Sequence, residues 1–267
     1  GKGKETIKHK EIAELREPLK NILAEMRENI DRGDYGLIIG DDASGRIPTW
    51  FFYNFLKELY KGKKMPPPKV RYFAGGYRVD PSQFSLGRSP FKERASQKFE
   101  KIEMYLAQAK KDMGKSNLLN KKALVVTDAI GTGSTLQPII EALQKQNTPF
   151  DIATVSSFND LTPRFEGKVF SGQDQSPSIY RNHELAGVVK DRKHVFAEPY
   201  KTYWARLAEG VDPNLGISPF SPEETEELQH KHQERINEAR KDAEILAHEL
   251  AEWYQKTAVV KATQSFQ

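Results

Sequence analysis

The sequence predicts an α/β fold in which an open, mostly parallel sheet is flanked by helices. Three observations carry that prediction. Residues 123–126 are a short apolar run rich in valine, followed by a Gly-rich turn and then by Leu136, Ile139, Ile140 and Leu143 at helical spacing. Residues 35–40 are a second such run, followed by a small-residue loop and an apolar helix bearing Trp50, Phe51, Phe55, Leu56 and Leu59. In both units the loop stands at the carboxyl end of a strand, which is where open parallel sheets bind ligands.

Taken in order, the chain begins with Ile12, Leu15, Leu19, Ile22, Leu23, Met26 and Ile30 on one helical face. That face predicts one or two packing helices over residues 5–31, bent at Pro18. ArgGlyAsp at 32–34 is a turn before the first strand. The loop that follows the strand, AspAspAlaSerGlyArgIlePro at 41–48, leads into a helix whose first amides have no internal partners and can meet an anion. Ser44 and Gly45 fit such a cradle, and the guanidinium of Arg46 donates in a fork that suits phosphate oxygens. Asp41 and Asp42 repel an anion unless a divalent cation lies between them, so the pair is a candidate Mg²⁺ site; the competing reading is that one of them caps the helix.

MetProProProLys at 65–69 reads as a stiff link, and residues 70–73 as a strand ended by Gly75 and Gly76. Residues 77–90 lack periodicity and carry Arg78 and Arg88, with Lys92 just beyond. A loop of that length in a compact domain is functional or disordered. Residues 91–113 form a helix with Phe99, Ile102, Leu106 and Ala109 on one face, ended by Gly114. Next comes the valine-rich strand. Beyond it Gly131 and Gly133 let backbone approach a ligand, Ser134 and Thr135 add hydroxyl donors, and Asp128 at the strand end can accept hydrogen bonds from sugar hydroxyls. The combination reads as a cradle for a sugar phosphate. It is not a Walker loop, because no GlyLysSer or GlyLysThr ending is present.

Residues 150–156 are a further strand. Residues 159–203 are rich in Gly, Pro and aromatics, with short strands expected at 168–170 and 186–190. SerProGluGlu at 221–224 opens a helix with a capping serine, a proline in the first turn and a glutamate three residues after the cap. Leu228, Ile236, Ala239, Ala243, Leu246, Leu250 and Trp253 give it an apolar stripe that either packs along the core or pairs with a second subunit as a homodimer. His230, His232 and His248 read as surface residues. No pattern is evident after Gln255. The expected organisation is a core with N-terminal helices over 1–158, an irregular hood over 159–217, the long helix over 218–257 and a tail over 258–267.

At 267 residues the chain exceeds the roughly 100 to 200 residues of a usual domain, which favours one elaborated α/β domain with an appendage. The absence of cysteine excludes a disulfide framework and a thiolate zinc site. No apolar run is long enough to span a bilayer and the start has no signal-type segment, so no membrane association and a cytoplasmic location are expected. The 41 basic and 37 acidic side chains leave a net charge of only +4, with lysines alternating with glutamates, which does not favour nucleic acid as a partner.

Residues 123–135, AlaLeuValValThrAspAlaIleGlyThrGlySerThr, resemble the PRPP-binding signature of type I phosphoribosyltransferases: four hydrophobic residues, two acids, two hydrophobic residues, then a small-Thr-Gly-small-Thr loop. Every position fits except the first acid, where Thr127 stands. The resemblance implies a phosphoribosyltransferase-like fold with a small hood, and transfer of ribose 5-phosphate from PRPP to a nitrogen nucleophile, a nucleobase, with release of pyrophosphate and Mg²⁺ as cofactor. It implies that the backbone of Thr132, Gly133, Ser134 and Thr135 holds the 5-phosphate, with Gly131 beside it among the substrate-binding residues, and that Asp128 binds a ribose hydroxyl, while Thr127 leaves a second hydroxyl contact in question. The loop with Ser44, Gly45 and Arg46 corresponds to the one that holds pyrophosphate, and Arg88 and Lys92 fall where a mobile loop closes over the reaction centre. In the hood, Phe158, Tyr180, Phe196, Tyr200, Tyr203 and Trp204 are candidates to stack on a base, and Lys190 to bond its carbonyl. In hypoxanthine-type members an Asp stands where this chain has Gly131, which argues against 6-oxopurine substrates. The alternative is a non-catalytic regulatory protein on the same fold that senses PRPP or a nucleotide.

Overall fold

The structure is a computed structural model that describes residues 5–41, 45–73, 90–130, 136–157, 168–173 and 222–265. Within them lie five strands, β1 (Tyr35–Asp41), β2 (Lys69–Phe73), β3 (Lys122–Ile130), β4 (Phe150–Ser157) and β5 (Val169–Gln173). Seven helices accompany them: α1 (Lys10–Ala13), α2 (Arg16–Glu25), α3 (Arg27–Asp31), α4 (Arg46–Gly62), α5 (Pro90–Lys115), α6 (Gln137–Lys145) and α7 (Pro222–Gln264). The strands form one sheet in the order β2-β1-β3-β4-β5, with every neighbouring pair parallel. The α/β prediction therefore holds at the level of an all-parallel sheet with helices on it.

Alternation along each strand divides the core in two. Ile38, Leu124, Val126, Ala153, Val155 and Phe170 pack with α2, α4 and α7 on one face. Leu37, Ile39, Ala123, Val125 and Ile152 pack with α5 and α6 on the other. With both faces covered, β1, β3 and β4 are buried almost throughout, which is why they read as continuous apolar runs rather than alternating ones. The order places the chain's reversal of direction between β1 and β3. At that switch point the connections leave opposite faces, and it is beyond the carboxyl ends of such strands that open parallel sheets bind ligands.

Several local expectations are corrected. Residues 5–31 hold three short helices, with breaks at Glu14 and Leu15 and at Met26 instead of at Pro18. Pro18 is buried in the first turn of α2, where its missing N–H costs no helical hydrogen bond. The stripe of α7 packs along the core: Ala239, Ala243, Leu246, Ala247, Leu250 and Ala251 are buried against α4 and the N-terminal helices. The helix also runs through the expected tail to Gln264. His248 is exposed, as expected, beside Glu58 and Glu252. The second predicted strand of the hood, 186–190, and the hood aromatics from Phe158 to Trp204 lie outside the described residues. No described helix is long and apolar enough to cross a membrane.

Candidate functional site

The two loops singled out in the sequence leave the sheet on either side of the switch point, one from the end of β1 and the other from the end of β3. Register sets what meets there. Gly40 of β1 pairs with Val126 of β3, so Asp41 and Thr127 are level with each other on adjacent strands, and their side chains share a face. Asp41, Thr127 and Asp128 are all buried. The Thr127 hydroxyl lies 3.1 Å from Asp41 Oδ2 and 3.3 Å from Asp128 Oδ1. The Ala129 amide donates to the same Asp128 oxygen at 2.7 Å. One oxygen of Asp128 is thus fixed by its own strand, and the other, Oδ2, accepts no hydrogen bond from a described residue.

On the β1 side, the turn into α4 is held by the Gly45 amide donating to the Asp41 carbonyl at 2.7 Å. Gly45 is required there: a Cβ would stand 2.7 Å from the Asp41 carbonyl oxygen and 2.8 Å from that of Val126, both backbone atoms. Gly40 plays the same part against α4 and β2, since a Cβ would lie 2.6 Å from Thr49 Oγ1 and 2.7 Å from Tyr72 Cδ1. These approaches bring the first turn of α4 down onto the sheet end. Arg46, the first residue of α4, lays its guanidinium over the ring of Tyr72, 4.5 Å from the centroid. Stacking of this kind uses the flat face of the guanidinium.

Of the residues predicted from sequence, Asp41, Gly45, Arg46, Thr127 and Asp128 are therefore brought to one rim. Asp42, Ser44, Arg88 and the phosphate loop Gly131, Thr132, Gly133, Ser134 and Thr135 lie outside the described residues, as does the side chain of Lys92. Among the described residues no group of three or more His, Asp or Glu side chains gathers as a metal set. Two features of this end escaped the sequence reading. Tyr72 supports Arg46 from β2, and Ser156, near the end of β4, has a buried hydroxyl without a hydrogen-bond partner among the described residues. Neither had a signal, because both sit in ordinary strand patterns.

Comparison of the chain with protein-family models, with curated proteins and with solved structures gave no match in any of the three.

Proposed function

We propose that the chain is a phosphoribosyltransferase that transfers ribose 5-phosphate from PRPP to a nitrogen nucleophile, a nucleobase, and releases pyrophosphate. The observation that carries this reading is the Asp128 carboxylate, buried at the switch point with one oxygen fixed by Ala129 and Thr127 and the other available to a sugar hydroxyl. It stands directly before the loop that the signature assigns to the 5-phosphate, on a sheet of the order that binds ligands at this end.

In this reading the acceptor nitrogen attacks the ribose carbon that bears pyrophosphate, the carbon–oxygen bond to pyrophosphate breaks, and the acceptor's proton passes to solvent or a base. Positive character on the ribose is stabilised by Asp128, and charge on the leaving group by Arg46 and the amide at Ser44, the Gly45 amide being held by the Asp41 carbonyl. The carboxylates of Asp41 and Asp42 are hard oxygen donors of the kind Mg²⁺ takes, one or two at a time, together with phosphate oxygens and water. Mg²⁺ held there would supply positive charge to the pyrophosphate. Gly131 in place of an acid directs the search for the acceptor away from 6-oxopurines.

The test is incubation with PRPP, Mg²⁺ and a panel of bases, following pyrophosphate release, with Asp128→Asn and Arg46→Ala as controls. Turnover that both substitutions abolish supports transfer. The second reading, a PRPP or nucleotide sensor, is favoured by Thr127, which has no carboxylate; tight PRPP binding without turnover on any base would establish it over the first.

A further inference from the structure

We propose that the amino end of the sheet is a docking surface for an anionic lipid bilayer, held by Lys61, Lys64, Lys69, Lys121 and Lys168, with Leu119 reaching into the headgroup layer. This end lies opposite the rim that carries Asp128 and Arg46, and docking there is independent of the PRPP reading.

In a parallel sheet every strand starts at the same end, and the connecting helices that run back along it finish there. Lys61 and Lys64 stand at the close of α4, Lys69 opens β2, Lys121 directly precedes β3, and Lys168 directly precedes β5. Bonds between these segments hold them side by side. Lys63 Nζ donates to the Asp31 carbonyl at 3.0 Å, the Lys122 amide to the Asp34 carbonyl at 2.7 Å and the Ile152 amide to the Lys168 carbonyl at 2.8 Å. With neighbouring strands roughly 4.8 Å apart, the charges from β2 to β5 spread over roughly 19 Å. The acids at this end already hold other cations: Asp31 lies 3.5 Å from Lys63, Asp34 2.9 Å from Arg32, Asp112 2.7 Å from Arg71 and Asp151 3.5 Å from Lys122. None of the five lysines has an acidic partner among the described residues, and Lys61, Lys64 and Lys168 are exposed. A helix dipole accounts for a lysine at the end of α4, but Lys69, Lys121 and Lys168 stand at strand starts, where the net dipole is small. Lys64 has a φ of 56°, in the region that favours glycine, so a charged side chain is kept there against the backbone preference.

Nucleic acid is the competing polyanion, and the neighbours of these lysines argue against it. Leu119, in the turn before Lys121, is 59% exposed. An aliphatic side chain is stabilised by entering lipid but offers no flat face to a base. The aromatics that open β1 and β4 or close α4, Tyr35, Phe150 and Tyr60, are buried and present no stacking platform. Bordered by Lys122 and Lys168, the same end holds a cleft of about 590 Å³, a volume in the range of small-molecule sites and sufficient for one phosphate headgroup. No described helix can cross a membrane, and lying against one needs no crossing helix. The fold gathers here free cations that a net charge of only +4 averages away over the whole chain. Docked in this way, the candidate site at the other end of the strands faces away from the bilayer and stays open to soluble ligands.

The experiment is co-sedimentation of the full chain with phosphatidylcholine vesicles, with and without phosphatidylserine. The protein is expected to pellet only with the vesicles that contain phosphatidylserine, and to leave them in about 1 M salt, where charges act over only about 3 Å. In the triple variant Lys64→Gly, Lys121→Gln, Lys168→Gln affinity is expected to fall about a hundredfold, at about fivefold for each lysine near an anionic surface. Leu119→Ser is expected to weaken binding about tenfold while leaving the salt dependence as it was. Lys8→Gln, Lys10→Gln, Lys241→Gln removes the same charge from the region of α1 and the middle of α7, and is expected to bind as wild type does. Equal pelleting with both lipid compositions would overturn the proposal. A control triple variant that loses as much as the first would also overturn it, by showing an effect of net charge alone. So would binding to polyuridylate that is tighter than to the phosphatidylserine vesicles at the same salt and is lost in the first triple variant, which would assign the surface to RNA. The lipid comparison is made on wild type, so a variant that fails to fold still leaves a result that can refute docking.

Discussion

The two oxygens of the Asp128 carboxylate are held differently. Oδ1 is bound by the Ala129 amide and faces the Thr127 hydroxyl, so the strand end itself sets the direction of Oδ2. Asp128→Asn can keep the first contact through its amide oxygen while losing the charge. Hydrogen bonds to a charged acceptor contribute roughly 1.5–3 kcal/mol, so PRPP affinity should fall by about ten- to a hundredfold with little change in melting temperature; an equal loss of both would mark Asp128 as structural. Gly45 gives the opposite pattern. A methyl there meets the carbonyls of Asp41 and Val126, and backbone cannot swing aside as a side chain can. Gly45→Ala should cost about 1–3 kcal/mol in urea denaturation and weaken anion binding, because the start of α4 must lift from the sheet; a variant as stable as wild type would contradict that packing. Asp128, Gly45 and Arg46 were legible as candidates because each chemistry sits in a local pattern of strand, loop and helix. The partnership of Asp41 with Thr127 was not, since it joins residues 86 positions apart through a strand order that no local pattern encodes.

At the scale of elements, α7 fastens the N-terminal segment to the core. Asp242, buried on α7, accepts the backbone amides of Lys8 at 3.0 Å and His9 at 2.8 Å, and lies 2.8 Å from His9 Nδ1. It thereby holds the start of α1 from 233 residues away. Further along, Arg16 donates to both oxygens of Glu249 at 2.6 and 3.2 Å, and the Trp50 indole donates to Glu244 at 3.1 Å. Asp242→Ala strands these partly buried donors and should cost about 2–4 kcal/mol, read as an earlier urea midpoint, with Asp242→Asn milder because one acceptor oxygen remains. An unchanged midpoint in Asp242→Ala would show that the segment does not depend on α7. The same elements show how far pattern reading reaches. The strands and the helices α4 to α6 were legible to within a few residues, because burial on one or both faces imposes its period on the sequence. The far end of α7 was not. A helix needs no apolar stripe to continue once started, and between Gln255 and Gln264 no Gly or Pro stops it, while Thr257 satisfies itself on the Trp253 carbonyl at 2.7 Å. The breaks among α1, α2 and α3 also left no stop signal, since they carry neither Gly nor Pro.

Across the whole molecule, three buried tyrosines join layers that the sequence keeps apart, and they make its stability sensitive to alkali. Tyr35, at the start of β1, donates to Asp151 of β4 at 2.7 Å. Burial first, then that carboxylate, pushes its phenol far above the ordinary value. Tyr254 of α7 donates to Asp31 of α3 at 2.8 Å and is raised by burial and by that bond. Tyr60, near the end of α4, is pushed up to about 12 by burial. A raised phenol keeps its proton in the folded state above about pH 10, where the unfolded chain has begun to lose it. Unfolding then releases protons, so the stability present below about pH 10 is lost as pH rises toward the folded values, by about 1.4 kcal/mol per pH unit for each such tyrosine. Other groups also titrate at this pH, so the slope alone does not identify the tyrosines. Tyr60→Phe does, because it removes one ionisable group and leaves the others in place. Urea midpoints measured from pH 8 to 11.5 should show wild type losing stability from about pH 10 upward, with Tyr60→Phe losing it less steeply by about one proton. A wild type whose midpoint is flat across that range, or a Tyr60→Phe variant with the full slope, would mean that the phenol of Tyr60 meets water in the folded protein and that the layer of α4 and α7 is looser than its packing implies.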